Sequence, residues 1–124
     1  MNDKIYEIDG IRVLEYTGDR HTIRSVQQAM DLIAEANHQH ASLIMIPVES
    51  LDENFFRLRT GLAGEILQKV VTYGSRLAIV GDISPYLEES RAFRDLVREA
   101  NRGMSCWFVK TPEEIRQRWS TPSG

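Results

Sequence analysis

Two continuous apolar stretches, Leu43 to Val48 and Leu77 to Val80, flank one amphipathic segment, and this arrangement restricts the fold more than any other feature of the chain. Strands that lack polar alternation must be covered on both faces, as the strands of parallel sheets are. Two such strands joined through a helix read as one right-handed crossover. The residues just past the carboxyl ends of these strands, here Gly81, Asp82, Ile83 and Ser84 after the second, lie where open α/β sheets usually bind ligands.

The segments around this unit extend it. Ile5 to Ile8 and Ile11 to Tyr16 flank Asp9-Gly10, a dipeptide suited to the two positive-φ positions of a two-residue hairpin turn. That loop length pairs Ile8 with Ile11, Glu7 with Arg12 and Tyr6 with Val13, so like faces like and acid faces base. Ser25 with Gln28 forms a capping box, and Val26, Ala29, Met30 and Ile33 recur at helical spacing, which predicts a first helix from Val26 to Asn37.

After the strand at Leu43 a polar connection, Glu49 to Asn54, leads through Phe55 and Phe56, expected in the core, to Thr60 as the cap of a second helix. That helix ends at Gly74 and buries Ile66, Val70 and Tyr73. Gly61 and Gly64 remove side chains from its first turn at about 1 kcal/mol each relative to alanine, which implies a close approach there. A third helical region starts after Ser84 with Pro85, restarts at Ser90 and turns Phe93, Leu96, Val97 and Ala100 inward. Gly103 is expected to close it in the left-handed conformation, before a last strand from Met104 to Val109. The box Thr111-Pro112-Glu113-Glu114 opens a final helix with Ile115 and Trp119 toward the sheet. The expected class is therefore α/β: one domain over residues 1–120, a mixed sheet with an antiparallel hairpin followed by parallel strands, about four flanking helices in the order ββαβαβαβα, and a disordered tail at 121–124.

A chain of 124 residues with 42% hydrophobic content is long enough for one core. Its net charge of -3, with 15 basic residues scattered among 18 acidic ones, offers no positive stripe for a nucleic acid. No apolar run approaches the roughly 20 residues of a bilayer span, so no membrane partner is expected and the location read from the chain is cytoplasmic. The single cysteine, Cys106, excludes an internal disulfide and, beside Trp107 and Phe108, reads as a buried inert thiol. His38, His40 and His21 lack a completing carboxylate or thiolate set, so no metal is expected. No cofactor fingerprint is present. Arg91, Arg94, Arg98 and Arg102 alternate with Glu88, Glu89, Asp95 and Glu99 and read as a solvated helix face.

The residues left for function gather at one rim: Arg57, Arg59, Thr60, Gly61, Gly64, Asp82 and Ser84. Thr60 reads as a helix cap and also as a regulated hydroxyl or ligand contact. Glu49 and Asp82, past the ends of neighbouring strands, could act as an acid/base pair or simply accept loop hydrogen bonds. Three functions follow in order of preference. The first is a non-catalytic binding or regulatory module that meets an unidentified protein partner at this rim. The second is a small-anion or nucleotide site at the start of the second helix with Arg57 and Arg59 as counter-charges. The third is an enzyme using Glu49 and Asp82.

The element order, with Thr60 directly before Gly61-Leu62, resembles the STAS domain of bacterial anti-sigma factor antagonists. That resemblance implies phosphorylation of Thr60 as a control of partner binding, although Arg59 stands where those domains usually carry an acidic residue. The strings FFRLRTGLAGEILQK (Phe55 to Lys69), LAIVGDIS (Leu77 to Ser84) and FRDLVREANRG (Phe93 to Gly103), followed by WFV, are similar to a bacterial single-domain family catalogued only as a domain of unknown function, the 4180 family. This second resemblance spans about Gly10 to Trp119 and implies no established activity.

Overall fold

Hairpin, crossovers and final helix come together in a computed structural model that describes residues 3–120; the tail expected to be disordered, 121–124, lies outside the described residues. Strands β1 (Lys4–Ile8) and β2 (Ile11–Glu15) are antiparallel. Strands β3 (Leu43–Pro47), β4 (Leu77–Val80) and β5 (Cys106–Val109) then add in parallel, and the sheet order is β1-β2-β3-β4-β5. The helices are α1 (Val26–His38), α2 (Glu53–Phe56), α3 (Leu62–Thr72), α4 (Ser84–Glu89), α5 (Arg91–Arg102) and α6 (Pro112–Ser120). The hairpin has the expected register, with Asp9 at φ 48° and Gly10 at φ 84° in its turn.

Because β2 to β5 are laid down side by side in one direction, crossovers of a single hand carry every connecting helix to the same face. Ala29, Leu32, Ile33 and Ala36 of α1, Ile66 and Val70 of α3, and Phe93 and Val97 of α5 accordingly join Leu14, Ile44, Ile46, Leu77, Ile79 and Phe108 in one core cluster. The other face holds Ile8, Ile11, Val13, Leu43, Met45, Ala78, Trp107 and Val109, and α6 alone covers it, through Ile115 and Trp119. Trp119 meets Trp107 edge-on at 5.8 Å, and Arg116 pairs with Asp9 at 3.0 Å, which ties α6 to the hairpin turn.

The capping box of Ser25 and Gln28 is present, and the hydroxyl of Ser90 accepts from the Phe93 N–H at 3.1 Å. Five local expectations need correction. The polar connection after β3 is ordered, holding a 3-10 turn (Val48–Ser50) and the short helix α2, because Leu51, Phe55 and Phe56 are drawn into the core. Thr60 is not the cap of α3; it ends a 3-10 turn (Leu58–Thr60), and Gly61 is the capping residue. Tyr73 is 49% exposed, since the helix stops at Thr72 and the chain turns off through the left-handed Gly74. Gly103 is extended rather than left-handed (φ -92°). There the side chain of Asn101 bridges to the Phe108 N–H at 2.7 Å, and the Trp107 indole N–H donates to the Gly103 carbonyl at 2.8 Å, so the chain enters β5 without a reversal at the glycine. The last strand accordingly begins at Cys106 rather than Met104.

Candidate functional site

Past the carboxyl ends of β2 and β3 the chain continues as two strapped loops. The Tyr16 N–H donates to the Met45 carbonyl and the His21 N–H to the Glu49 carbonyl, both at 2.8 Å; the Ile23 N–H donates to the Ser50 carbonyl at 2.9 Å. The buried hydroxyl of Ser50 closes the pair by donating to the Gly18 carbonyl at 3.2 Å. This strap brings Arg20 and His21 to an open cleft of about 400 Å³ shared with Glu49, Asp82 and Tyr86. His21 sits at φ 56°, a conformation uncommon outside glycine, and its Nδ1 lies 3.1 Å from the Leu51 carbonyl. A proton on Nδ1 makes that contact a hydrogen bond and turns Nε2 into an acceptor.

The sequence-predicted carboxylates, Glu49 and Asp82, both line this cleft. Asp82 accepts from the Ser84 N–H at 2.9 Å, and the hydroxyl and N–H of Ser84, helped by the charge of Lys110, hold its carboxyl below the ordinary value. A general acid or base working near neutrality needs the opposite displacement. Between Asp82 and β4, Gly81 takes φ 142°, and a Cβ there would stand 3.0 Å from the Val48 side chain. Gly81→Ala should therefore cost about 1–3 kcal/mol of stability, through a backbone region that only glycine occupies freely. Urea unfolding checks this, and an unchanged midpoint would mean that the loop relaxes at little cost.

A second cleft, of about 500 Å³, lies between the α2–α3 junction and α4–α5. Asp52 caps α2 by accepting from the Asn54 N–H at 3.0 Å, and Phe55 and Phe56 fill the core beneath. Phe56 stacks on Tyr86 with ring centroids 3.8 Å apart and planes within 6°, forming the floor on which Arg57 and Arg59 open. Arg57 also pairs with Glu53 at 3.6 Å across exposed side chains. The Thr60 hydroxyl lies 2.7 Å from the Asn54 carbonyl and 2.8 Å from that of Arg57, and accepts from the Leu62 N–H at 3.3 Å. Gly61 follows at φ 81°, which explains its identity. Gly64 is different: a Cβ there would meet nothing within 4 Å, so no part of the chain approaches it, and the helix backbone is bare to solvent.

The seven rim residues therefore do not share one pocket. Arg57 and Arg59 line the aromatic-floored cleft, Asp82 lines the cleft of Glu49 and His21, and Asp82 with Ser84 borders a smaller one beside Lys110. Thr60, Gly61 and Gly64 form the surface at the start of α3 and line none of the three. Tyr86 walls both larger clefts and separates the arginines from the carboxylates. Arg20, His21 and Tyr86 were not foreseen as site residues: the first two are placed by the strap between residues 16–23 and 45–52, and Tyr86 of α4 by its stacking on Phe56, contacts no local spacing encodes.

The histidines are dispersed, with His38 ending α1 and His21 on the strand-end rim. Among the described residues no group of three or more His, Cys, Asp or Glu could hold a metal ion. Burial pushes the Cys106 thiol far up from its ordinary value. Along α5, Arg98 pairs with Asp95 at 3.7 Å and Arg102 with Glu99 at 3.3 Å, while Arg94 donates to the Leu87 carbonyl at 2.6 Å. Among the described residues no helix is long and apolar enough to cross a membrane.

A family model described as a domain of unknown function (DUF4180) matches residues 8–119, and the chain belongs to that family. No curated protein and no solved structure matches it.

Proposed function

We propose that this member of a family without an assigned activity is a non-catalytic binding or regulatory module, whose working surface is the start of α3 with Arg57, Arg59, Thr60, Gly61 and Gly64. The observation that carries the reading is Gly64: it is exposed, it faces open space, and no requirement of the fold explains a glycine there. A bare helix backbone lets a partner come closer than any side chain would permit. Beside it, two arginines over an aromatic floor supply residue types enriched at protein interfaces, with Glu53 and Glu89 lining the same cleft. Asp82 and Ser84 would form the far edge of that surface beyond Tyr86.

The likeness to STAS domains of anti-sigma factor antagonists belongs to this reading and deepens it. Both the element order and the hydroxyl before Gly61-Leu62 support it, and it makes Thr60 a phosphorylation site. A phosphorylated Thr60 could no longer donate to the Asn54 and Arg57 carbonyls, so the modification would loosen the α2–α3 junction and add charge beside Arg57 and Arg59. In this reading the protein acts in the bacterial cytoplasm. A second reading, a small anion or nucleotide held between Arg57 and Arg59 over the Phe56–Tyr86 stack, rests on that cleft. The enzymatic reading through Glu49 and Asp82 ranks last, since Asp82 is held in its ionised form.

Affinity capture from the native host separates these readings. Gly64→Trp and Thr60→Glu should each weaken recovery of a specific partner by about tenfold or more, the loss expected when a central interface position is blocked. Capture unchanged in both variants would remove this surface from consideration. A rise in melting temperature with phosphate, nucleotides or carboxylates that Arg59→Ala abolishes would favour the anion reading instead.

A further inference from the structure

The helix-covered face of the sheet is incomplete at its β1 edge. Ile5 of β1 is only half-buried, although its cross-strand partner Leu14 is 1% exposed, and the gap between β1 and α1 opens as a crevice of about 470 Å³. Its floor is apolar, made of Ile5, Leu14, Ile23 and Leu32. Its banks are acidic: Asp3 stands on one side, and Asp31 and Glu35 stand on the other, one turn apart on α1. Among the described residues no lysine or arginine lines it.

Among the described residues the three carboxylates hold only neutral partners. Asp3 accepts from the Thr17 N–H at 3.3 Å, Asp31 from the Gln27 amide at 3.0 Å, and Glu35 from the Gln39 amide at 2.9 Å. None of the ion pairs among the described residues involves them. Arg12 reaches the crevice's end, where its Nε donates to the Gln39 carbonyl at 2.6 Å.

We propose that this crevice binds an aliphatic polyamine. The volume is that of a small-ligand site, the floor suits methylene groups, and carboxylates on both banks suit ammonium groups at the two ends of such a chain. A molecule with alternating charge and hydrocarbon matches that order of surfaces, whereas an inorganic cation would leave the floor unused. The site lies on α1 and β1, apart from the α3 surface, and is independent of the function proposed above.

The test is titration of the purified protein with spermidine and with 1,5-diaminopentane, followed by calorimetry and by melting temperature, with Mg²⁺ and a lysine-rich amphipathic peptide as comparison ligands. Saturable polyamine binding with a dissociation constant below about 1 mM is expected. The exposed double variant Asp31→Asn/Glu35→Gln should weaken it by about tenfold or more, in line with two charge-assisted contacts. Ile5→Trp, which keeps every carboxylate and fills the floor, should weaken it as well; the carboxylate variant decides the matter if Ile5→Trp does not fold. Four outcomes would overturn the assignment: no saturation by about 10 mM polyamine, equal binding by the double variant, equal displacement by Mg²⁺ at matched ionic strength, or tight binding of the peptide with none of the amines.

Discussion

Replacement of Phe93 by alanine should lower the free energy of unfolding by about 3–5 kcal/mol, the usual loss for a buried phenylalanine whose cavity cannot collapse. Phe93 is 0% exposed and sits at the centre of an aromatic group, edge-on to Phe56 at 5.5 Å and to Phe108 at 5.8 Å and 6.4 Å from Tyr86. Its neighbours come from α2, α4 and β5, so no single element can move in to fill the gap. With total stability of a domain this size at about 5–15 kcal/mol, the variant should show a much lower urea midpoint with an unchanged slope. The Phe56–Tyr86 stack, which floors the cleft of Arg57 and Arg59, leans on the same ring, so binding at the α3 surface should weaken together with stability. A loss under about 1 kcal/mol would show that the aromatic group is loosely packed.

Truncation of Ile115 to alanine should cost about 2–5 kcal/mol, and Ile115→Asp should abolish cooperative unfolding, because it places an unpaired carboxylate where the side chain is 0% exposed. The reason is architectural. One face of the sheet is shared by three long helices, whereas the other depends on α6 alone, so Val13, Leu43, Met45, Ala78 and Trp107 have no second cover. The Asp9–Arg116 pair is exposed and adds little to this anchorage. Circular dichroism and urea titration check both variants, and a cooperative, near-wild-type Ile115→Asp would mean that the second face tolerates opening.

Much of the fold could be read from short-range pattern. Asp9-Gly10 and the alternation on either side specify both the hairpin and its register, since a slip of one residue would send Ile8, Ile11 and Val13 to the wrong face. Ser25 with Gln28 marks a helix start through its capping box, and Pro85 marks another because its fixed φ suits a first helical turn. Phe55 and Phe56 were legible as core from their type alone. The errors lie where one local signal had another as competitor. Gly103 has the composition of a left-handed cap, yet bonds from Asn101 to Phe108 and from Trp107 to Gly103 tie that helix end to β5, and Thr60, a good capping residue, is drawn instead to the Asn54 and Arg57 carbonyls.

The candidate site was legible only in its parts. Glu49 and Asp82, past the ends of neighbouring parallel strands, line one cleft, but Tyr86 divides them from Arg57 and Arg59, and the sequence contains no mark of that wall. Gly64 stood out by its type, whereas the reason for it changed: no chain segment packs against it, and the bare backbone faces outward.

The chain by itself determined its strands, the pairing of its hairpin and the ends of most helices, because those follow from turn chemistry, capping and the period of apolar residues over a few positions. Only the tertiary structure decided which face each helix covers, that a nine-residue helix guards one whole side, and that His21 joins the strand-end cleft while β1 keeps an acidic crevice. These depend on contacts between residues far apart in sequence, whose energies exist only once the intervening chain has packed.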